Sequence, residues 1–189
     1  MNKTYYQEQF ENEEFDSEIM RNALYEDCSF SNCSFSNLNF IEVNFEECEF
    51  NSCDFSGANL NETAFRTVVF NECKMMGLNF EQLNTFRMSM KFNHVKLDYS
   101  IFYGLSLKNT SFLNSSLLGC DFSEANLEKS NFQGANLQET IFSNTNLNKV
   151  DFRNATNYRI NPSQNKMKGA IFSKEEVMGL LMDFGIKIE

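Results

Sequence analysis

Every fifth residue of this chain is large and apolar over most of its length, and this period limits the folds open to it. From Phe10 to Phe80, fifteen consecutive positions at this spacing hold Phe, Tyr, Met or Leu. After a shift of two residues the pattern resumes at Phe92 and continues for thirteen positions to Phe152. An α-helical repeat is excluded, because a period of five does not match 3.6 residues per turn.

A second column lies two residues before each large residue and holds mostly Cys, Ala, Ser and Thr, including all six Cys of the chain. Residues two apart in an extended segment share a face, so both columns point inward. The step from a large residue to the next small one is three positions. The chain must therefore turn within each unit, which makes each unit one short side of a coil.

Two patterns favour four sides and twenty residues per coil. Between Phe92 and Phe152, Phe and Leu alternate strictly, so like side chains stack on like with four sides but not with three. Five of the cysteines are also spaced by twenty residues, namely Cys28 and Cys48, and Cys33, Cys53 and Cys73.

The segment CDFSEANLEKSNFQGANLQETIF, residues 120–142, resembles the A-(D/N)-L-x-x signature of pentapeptide-repeat proteins. The resemblance covers roughly residues 8–157 and implies an all-β fold, a right-handed quadrilateral β-helix. We expect this β-helix over residues 1–157, with a frame slip near residues 81–91. Residues 158–189 are expected to form a C-terminal module for capping and dimerisation, with a short α-helix.

The end of the chain, INPSQNKMKGAIFSKEEVMGLLMDFGIKIE, is similar to the C-terminal module of the Qnr-type subgroup. That subgroup includes quinolone-resistance proteins and the microcin B17 immunity protein. The resemblance implies a homodimer whose acidic rod mimics DNA. It also implies binding to DNA gyrase or topoisomerase IV, with protection of the enzyme from quinolones or toxins. The alternative is an interaction scaffold of the same fold with an unrelated partner.

Residues Ser173 to Glu176 have the pattern of a capping box, and Gly185 is a suitable residue for a helix stop. The apolar residues between them recur at helical spacing on one face. This face could merely cover the last coil, or it could also meet a second copy of the chain. The predicted dimer interface comprises Val177, Leu180, Leu181, Phe184, Ile186 and Ile188.

The frame slip inserts two extra residues between Phe80 and Phe92, which predicts a bulge, a short loop or a change of face. It is either a tolerated insertion or a contact loop for a partner. The predicted bulge comprises Asn84, Thr85, Phe86, Arg87 and Met88.

The formal net charge is −10, and residues 1–80 alone hold fifteen Asp and Glu against four Lys and Arg. This acidity argues against nucleic acid or an anionic membrane as a partner. It favours a basic partner surface, unless it serves only solubility. The densest acidic patch, and the predicted partner-binding surface, comprises Glu42, Glu46, Glu47, Glu49 and Asp54.

Residue types for catalysis are scarce, because the only His is His94 and the cysteines form no C-x-x-C pair. We expect neither an enzyme nor a metal or cofactor site, and we assign the cysteines to core packing. The first ten residues lack the apolar core of a signal peptide, and no stretch of about 18 apolar residues occurs. These features predict a cytoplasmic protein.

Overall fold

The computed structural model describes residues 3–16 and 20–187, which wind into a right-handed quadrilateral β-helix of about eight coils. At about 4.8 Å per coil the rod is roughly 38 Å long. All strand pairs in the described residues are parallel, so the predicted fold class is confirmed. The strands are β1 Lys3–Tyr6, β2 Gln9–Glu11, β3 Ala23–Glu26, β4 Ser29–Ser31, β5 Asn44–Glu46, β6 Glu49–Asn51, β7 Ala64–Arg66, β8 Val68–Asn71, β9 Met90–Asn93, β10 Ser111–Leu113, β11 Asp151–Phe152 and β12 Ile171–Phe172.

The four sides of the coil are numbered here in chain order. Face 1 begins with the sheet β1-β3-β5-β7, and face 2 carries β2, β4, β6, β8, β9 and β10, followed by β11 and β12. Faces 3 and 4 are held by single bridges from coil to coil. Face 3 follows the column through Ser34, Asp54 and Lys74, and face 4 carries Asn39, Asn59, Asn79, Ile101, Asp121 and Ile141.

The large residues form the predicted stacks of like side chains along the axis of the rod. Phe50 lies 4.6 Å from Phe30 and 5.2 Å from Phe70 between ring centroids, with the rings nearly parallel. Tight turns separate the sides: Val43 N–H donates to the Phe40 carbonyl, and the intervening Glu42 has φ +60°. Such left-handed residues recur at the corners, where Asn and Gly are common because they adopt this conformation at low cost.

The small inward column also satisfies backbone groups. The Cys53 thiol donates to the Phe30 carbonyl at 3.5 Å, and the Thr140 hydroxyl donates to the Leu117 carbonyl at 2.7 Å. The same contact, to the large residue 23 positions earlier, recurs at most Cys, Ser and Thr of this column. Where the column holds Cys, Ser or Thr, the side chain therefore fills the interior and also binds a backbone carbonyl.

The register departs from twenty residues in one coil, and the β-helix extends further than the repeat can be followed in the sequence. Between Val68 and Met90 the register is 22 residues, and this coil contains a 3₁₀ turn at Phe80–Gln82. At the other end, β12 pairs with β11 and Phe172 stacks on Phe152 at 4.9 Å. The stacking therefore continues beyond residue 157, where the repeat becomes hard to follow in the sequence.

The C-terminal segment forms two 3₁₀ turns, Val177–Leu180 and Met182–Phe184, and the α-helix predicted there is absent from the described residues. The capping-box interpretation of Ser173 is wrong, because its hydroxyl accepts a hydrogen bond from the backbone N–H of Asn154 in the preceding coil. Gly179 lies against Tyr158, and its carbonyl accepts from Ile160 N–H. These contacts tie the segment to the last coil instead of to an α-helical ladder.

Candidate functional site: the outer faces and the C-terminal end

The predicted bulge projects from face 1, where it interrupts the column between Ala64 and Ser106. Phe86 is 69% exposed at its tip, and Met88 packs partly against the core. The Arg66 side chain donates to the Phe86 carbonyl at 3.1 Å and forms a 2.8 Å ion pair with Glu46. The bulge is thus tied to the acidic coil below it.

The five residues of the predicted acidic patch lie in one coil but not on one surface. Glu46, Glu47 and Glu49 gather around the edge between faces 1 and 2, whereas Glu42 lies at the corner between faces 4 and 1. Asp54 lies on face 3, with its carboxylate 3.8 Å from the Lys74 ammonium.

Neighbouring side chains partly neutralise the negative charge of this patch or bind its carboxylates. Burial alone would raise the pKa of Asp54, but hydrogen bonds from Ser56 and the nearby Lys74 ammonium lower it. Glu46 pairs with Arg66, and Glu49 accepts from the Asn71 amide at 2.7 Å. Glu47 is exposed at a corner, and Glu42 belongs to a longer acidic surface.

That longer surface is face 4, defined by residues 36–42, 56–62, 76–82, 98–104, 118–124 and 138–144. It contains no Lys, Arg or His in these six coils. Its seven carboxylates are Glu42, Glu62, Glu81, Asp98, Asp121, Glu124 and Glu139.

The lysines of the second half lie on other surfaces, although residues 81–189 as a whole are almost neutral. Lys91 lies in β9 on face 2, and Lys96 lies on face 3. A ladder along the edge between faces 1 and 2 comprises Lys108, Lys129, Lys149 and Lys168. The acidity of face 4 therefore continues past the bulge with no cation in these six segments. The other surfaces carry both signs of charge, as in the 3.4 Å ion pair between Lys108 and Glu128.

Face 4 also exposes apolar surface among its carboxylates. Tyr99 is 57% exposed, and its ring covers the position that a side chain at Gly119 would need. Ile101 and Ile141 flank Asp121 along the same column. The Tyr103 hydroxyl forms a hydrogen bond with the Glu124 side chain, which raises the pKa of the tyrosine. The face therefore offers both negative charge and apolar contact to a partner.

The C-terminal residues predicted at a dimer interface divide into two groups. Leu180 packs against the core and so helps to cover the last coil. Phe184 is 53% exposed and Ile186 is 56% exposed, while Ile188 lies outside the described residues. Val177 is also exposed, and an apolar groove is lined by Met178, Leu181, Met182 and Ile186. Met178 and Met182 escaped the sequence prediction because they lie off the helical face assumed there.

The six cysteines are buried, free thiols. Burial raises the pKa of Cys48 and that of Cys120 to about 12, so both remain protonated near neutral pH. No group of three His, Cys, Asp or Glu side chains able to hold a metal ion occurs among the described residues. Within residues 3–16 and 20–187, no helix has the length and apolar character needed to span a membrane.

Solved structures with this architecture include two trypsin-treated forms of QnrB1, a plasmid-mediated fluoroquinolone resistance protein. One is 17% identical and matches 98% of this chain and 100% of its own, with a TM-score of 0.65. The other is 18% identical, over 98% and 99% of the chains, with a TM-score of 0.66. HetL, a pentapeptide repeat protein involved in heterocyst differentiation regulation from the cyanobacterium Nostoc, is 15% identical, over 99% of this chain and 92% of its own, with a TM-score of 0.50.

No curated protein sequence matches this chain significantly. Residues 23–102 match the family described as pentapeptide repeat region. Residues 91–128 and 120–156 each match pentapeptide repeats in eight copies. These matches extend over most of the coils, and the chain belongs to the pentapeptide-repeat proteins.

Proposed function

We propose that this protein is a non-catalytic mimic of DNA that binds a type II topoisomerase, DNA gyrase or topoisomerase IV. Through this binding it would protect the enzyme from quinolones or toxins. The observation that carries the proposal is the unbroken acidity of face 4. The similarity in fold to QnrB1, described as a fluoroquinolone resistance protein, also supports this proposal.

The charge density of face 4 is close to that of one DNA strand. Seven carboxylates over six coils of about 4.8 Å give roughly one charge per 4 Å, compared with ~3.4 Å per phosphate in one strand. A basic groove shaped for duplex DNA would attract such a rod without reading any base sequence. Because Glu46 and Asp54 have cationic neighbours, we assign the binding surface to face 4.

The test is gyrase supercoiling with and without ciprofloxacin, at increasing concentrations of the protein. We expect inhibition or drug protection at micromolar concentrations, weakened by added salt. In the variant Glu62→Gln, Glu81→Gln, Glu139→Gln the effect should fall at least tenfold. These three side chains are exposed, so the fold should be unchanged.

The matched control removes the same charge from the other acidic surface, through Glu46→Gln, Glu47→Gln and Glu49→Gln. If inhibition or drug protection falls more in this control than in the face 4 variant, the binding surface lies at the edge between faces 1 and 2 instead. If folded wild-type protein neither inhibits nor protects at micromolar levels, the topoisomerase proposal fails.

A scaffold for an unrelated partner is the second candidate, and the exposed Tyr99, Ile101 and Tyr103 favour it. DNA presents no such apolar side chains on its outer surface, whereas protein interfaces are enriched in tyrosine. Gyrase subunits retained on the immobilised protein support the first candidate. Retention of a different protein through face 4 supports the scaffold.

The protein is further proposed to form a homodimer through its C-terminal groove. Met182 is 62% exposed there, so Met182→Asp should leave the monomer folded while placing a carboxylate in the interface. We expect sedimentation at tens of micromolar to show dimers of the wild type and monomers of the variant. Ile101→Asp, on the exposed surface of face 4 and several coils before the C-terminal groove, is the control and should remain dimeric. A monomeric wild type would refute the dimer.

A further inference from the structure

The first coil differs from the later coils in its inward column. Lys3, Glu8 and Glu13 occupy the positions that hold Ala23, Cys28 and Cys33 one coil later. From Ala23 to Ala170 this column contains no charged residue. The register is regular, because Ser29 N–H donates to the Glu8 carbonyl at 3.0 Å and Ser34 N–H to the Glu13 carbonyl at 2.9 Å.

The same coil presents surface on which another chain could stack. Strands β1 and β2 are the edge strands of their sheets. The Tyr5, Phe10 and Phe15 rings stack on the next coil at 4.7, 4.9 and 4.9 Å, but they are only partly buried. Edge strands beside apolar surface are templates for pairing with another molecule.

Glu8 and Glu13 oppose such pairing because of the column positions that they occupy. In later coils the side chain at these positions is enclosed between neighbouring coils, whereas Glu8 and Glu13 are exposed. A further coil or a second rod placed against this end would enclose both carboxylates. Burying an unpaired charge is strongly unfavourable, and inward-pointing charges are a known protection of sheet edges.

We propose that Glu8 and Glu13 block stacking at the N-terminal end of the rod, so that association between copies is confined to the C-terminal end. At the other end, 3₁₀ turns cover the last coil and carry the apolar groove of the dimer proposed above, on which the C-terminal part of this proposal rests. A rod with one blocked end forms closed dimers, whereas two open ends would allow filaments. This proposal is independent of any binding to a topoisomerase.

The test replaces both glutamates with a residue typical of the column, Glu8→Thr with Glu13→Thr, in a chain that also carries Met182→Asp to suppress C-terminal association. The matched control is Glu11→Thr with Glu14→Thr, because these two glutamates lie in the same coil at outward, exposed positions. Both pairs remove two negative charges. Sedimentation velocity between 10 and 100 µM measures association, and circular dichroism checks the fold.

We expect the inward variant to associate at least tenfold more tightly than the control, with slowed hydrogen exchange in β1 and β2. Glu8→Gln with Glu13→Gln, which nearly preserves side-chain size, is a second variant and should also associate. The proposal is overturned if neither inward variant associates more than the control. The proposal is also overturned if the inward variants associate but hydrogen exchange slows in strands other than β1 and β2.

Discussion

The coils before the bulge and those after it share one backbone design but fill it differently. Before the bulge, Phe occupies all four sides, as in Phe35, Phe40, Phe45 and Phe50. After it, Phe occupies only faces 2 and 4, while Leu fills faces 1 and 3. The fold thus requires a large apolar residue at each centre but does not require an aromatic one.

The two halves also differ in the inward column and in their charge. Five of the six cysteines lie before the bulge, whereas Ser and Thr predominate after it. Both types of side chain donate to carbonyls at equivalent positions, those of the large residue 23 positions earlier, so a thiol and a hydroxyl can each serve as the donor. The first half carries all of the net acidity, whereas the second half is almost neutral but has no Lys or Arg in the face 4 segments defined above.

The largest expected effect comes from removing one ring of the all-Phe core. Phe50 has aromatic neighbours in its own coil and in both adjacent coils, so Phe50→Ala should lower the free energy of unfolding by about 3–5 kcal/mol. For Phe122→Ala, the loss in the free energy of unfolding should lie at the lower end of this range, because the neighbouring Leu side chains can repack. Chemical denaturation measures both. A loss below ~1 kcal/mol at Phe50 would break the comparison.

Alkaline pH should destabilise the cysteine-rich half first. Burial raises the pKa of Cys48 to about 12 from its ordinary value of 9.0. The stabilisation is therefore complete below pH 9 and is lost as the pH rises toward 12. Each such thiol should contribute a loss of about 1.4 kcal/mol per pH unit in this window.

Hydrogen exchange at pH 8 and pH 10.5 can locate this loss along the chain. We expect the coils around Cys48, in the half that holds five buried thiols, to open before those around Cys120, the only cysteine after the bulge. Cys48→Ala is the control, because it removes one titrating group and should reduce the pH dependence of unfolding. An unchanged pH dependence in that variant would show that the thiol is not responsible.

The smallest effect expected is that of a single hydroxyl in the second half. Thr140→Val keeps the shape of the side chain but removes the donor to the Leu117 carbonyl, which should cost about 1 kcal/mol. The control is Thr156→Val, at a half-buried outward position of face 3. Equal melting temperatures for the two variants would mean that the inward hydroxyl serves packing alone.

The period of five fixes the inward residues, and from them the four sides and the stacking of like on like follow without a structure. The path of the 22-residue coil cannot be predicted from the period, because the two extra residues could be inserted at several points between Phe80 and Phe92. This register matters beyond the bulge: it brings Phe102 onto Phe80, and with it Ile101 onto Asn79. Without it, the continuity of face 4 cannot be recognised in the sequence.

The C-terminal segment shows a different limit of sequence reasoning. The spacing of Val177, Leu180 and Leu181 fits an α-helix. A local sequence pattern, however, does not show which backbone groups of the segment will form hydrogen bonds with the rest of the fold. In the structure, Ser173 and Gly179 bond to the preceding coils, and Gly185 has the left-handed φ of +63° expected of a helix stop. Tertiary contacts therefore decide the conformation here.

The register of about twenty residues has a consequence for how the chain reaches this structure. Each coil bonds to its immediate neighbours, so its partners are never far away along the chain. A coil added to an existing stack closes only a short loop, and growth can proceed one coil at a time. We expect the early Phe-rich coils to order during synthesis and to serve as the template on which the later, Leu-containing coils assemble.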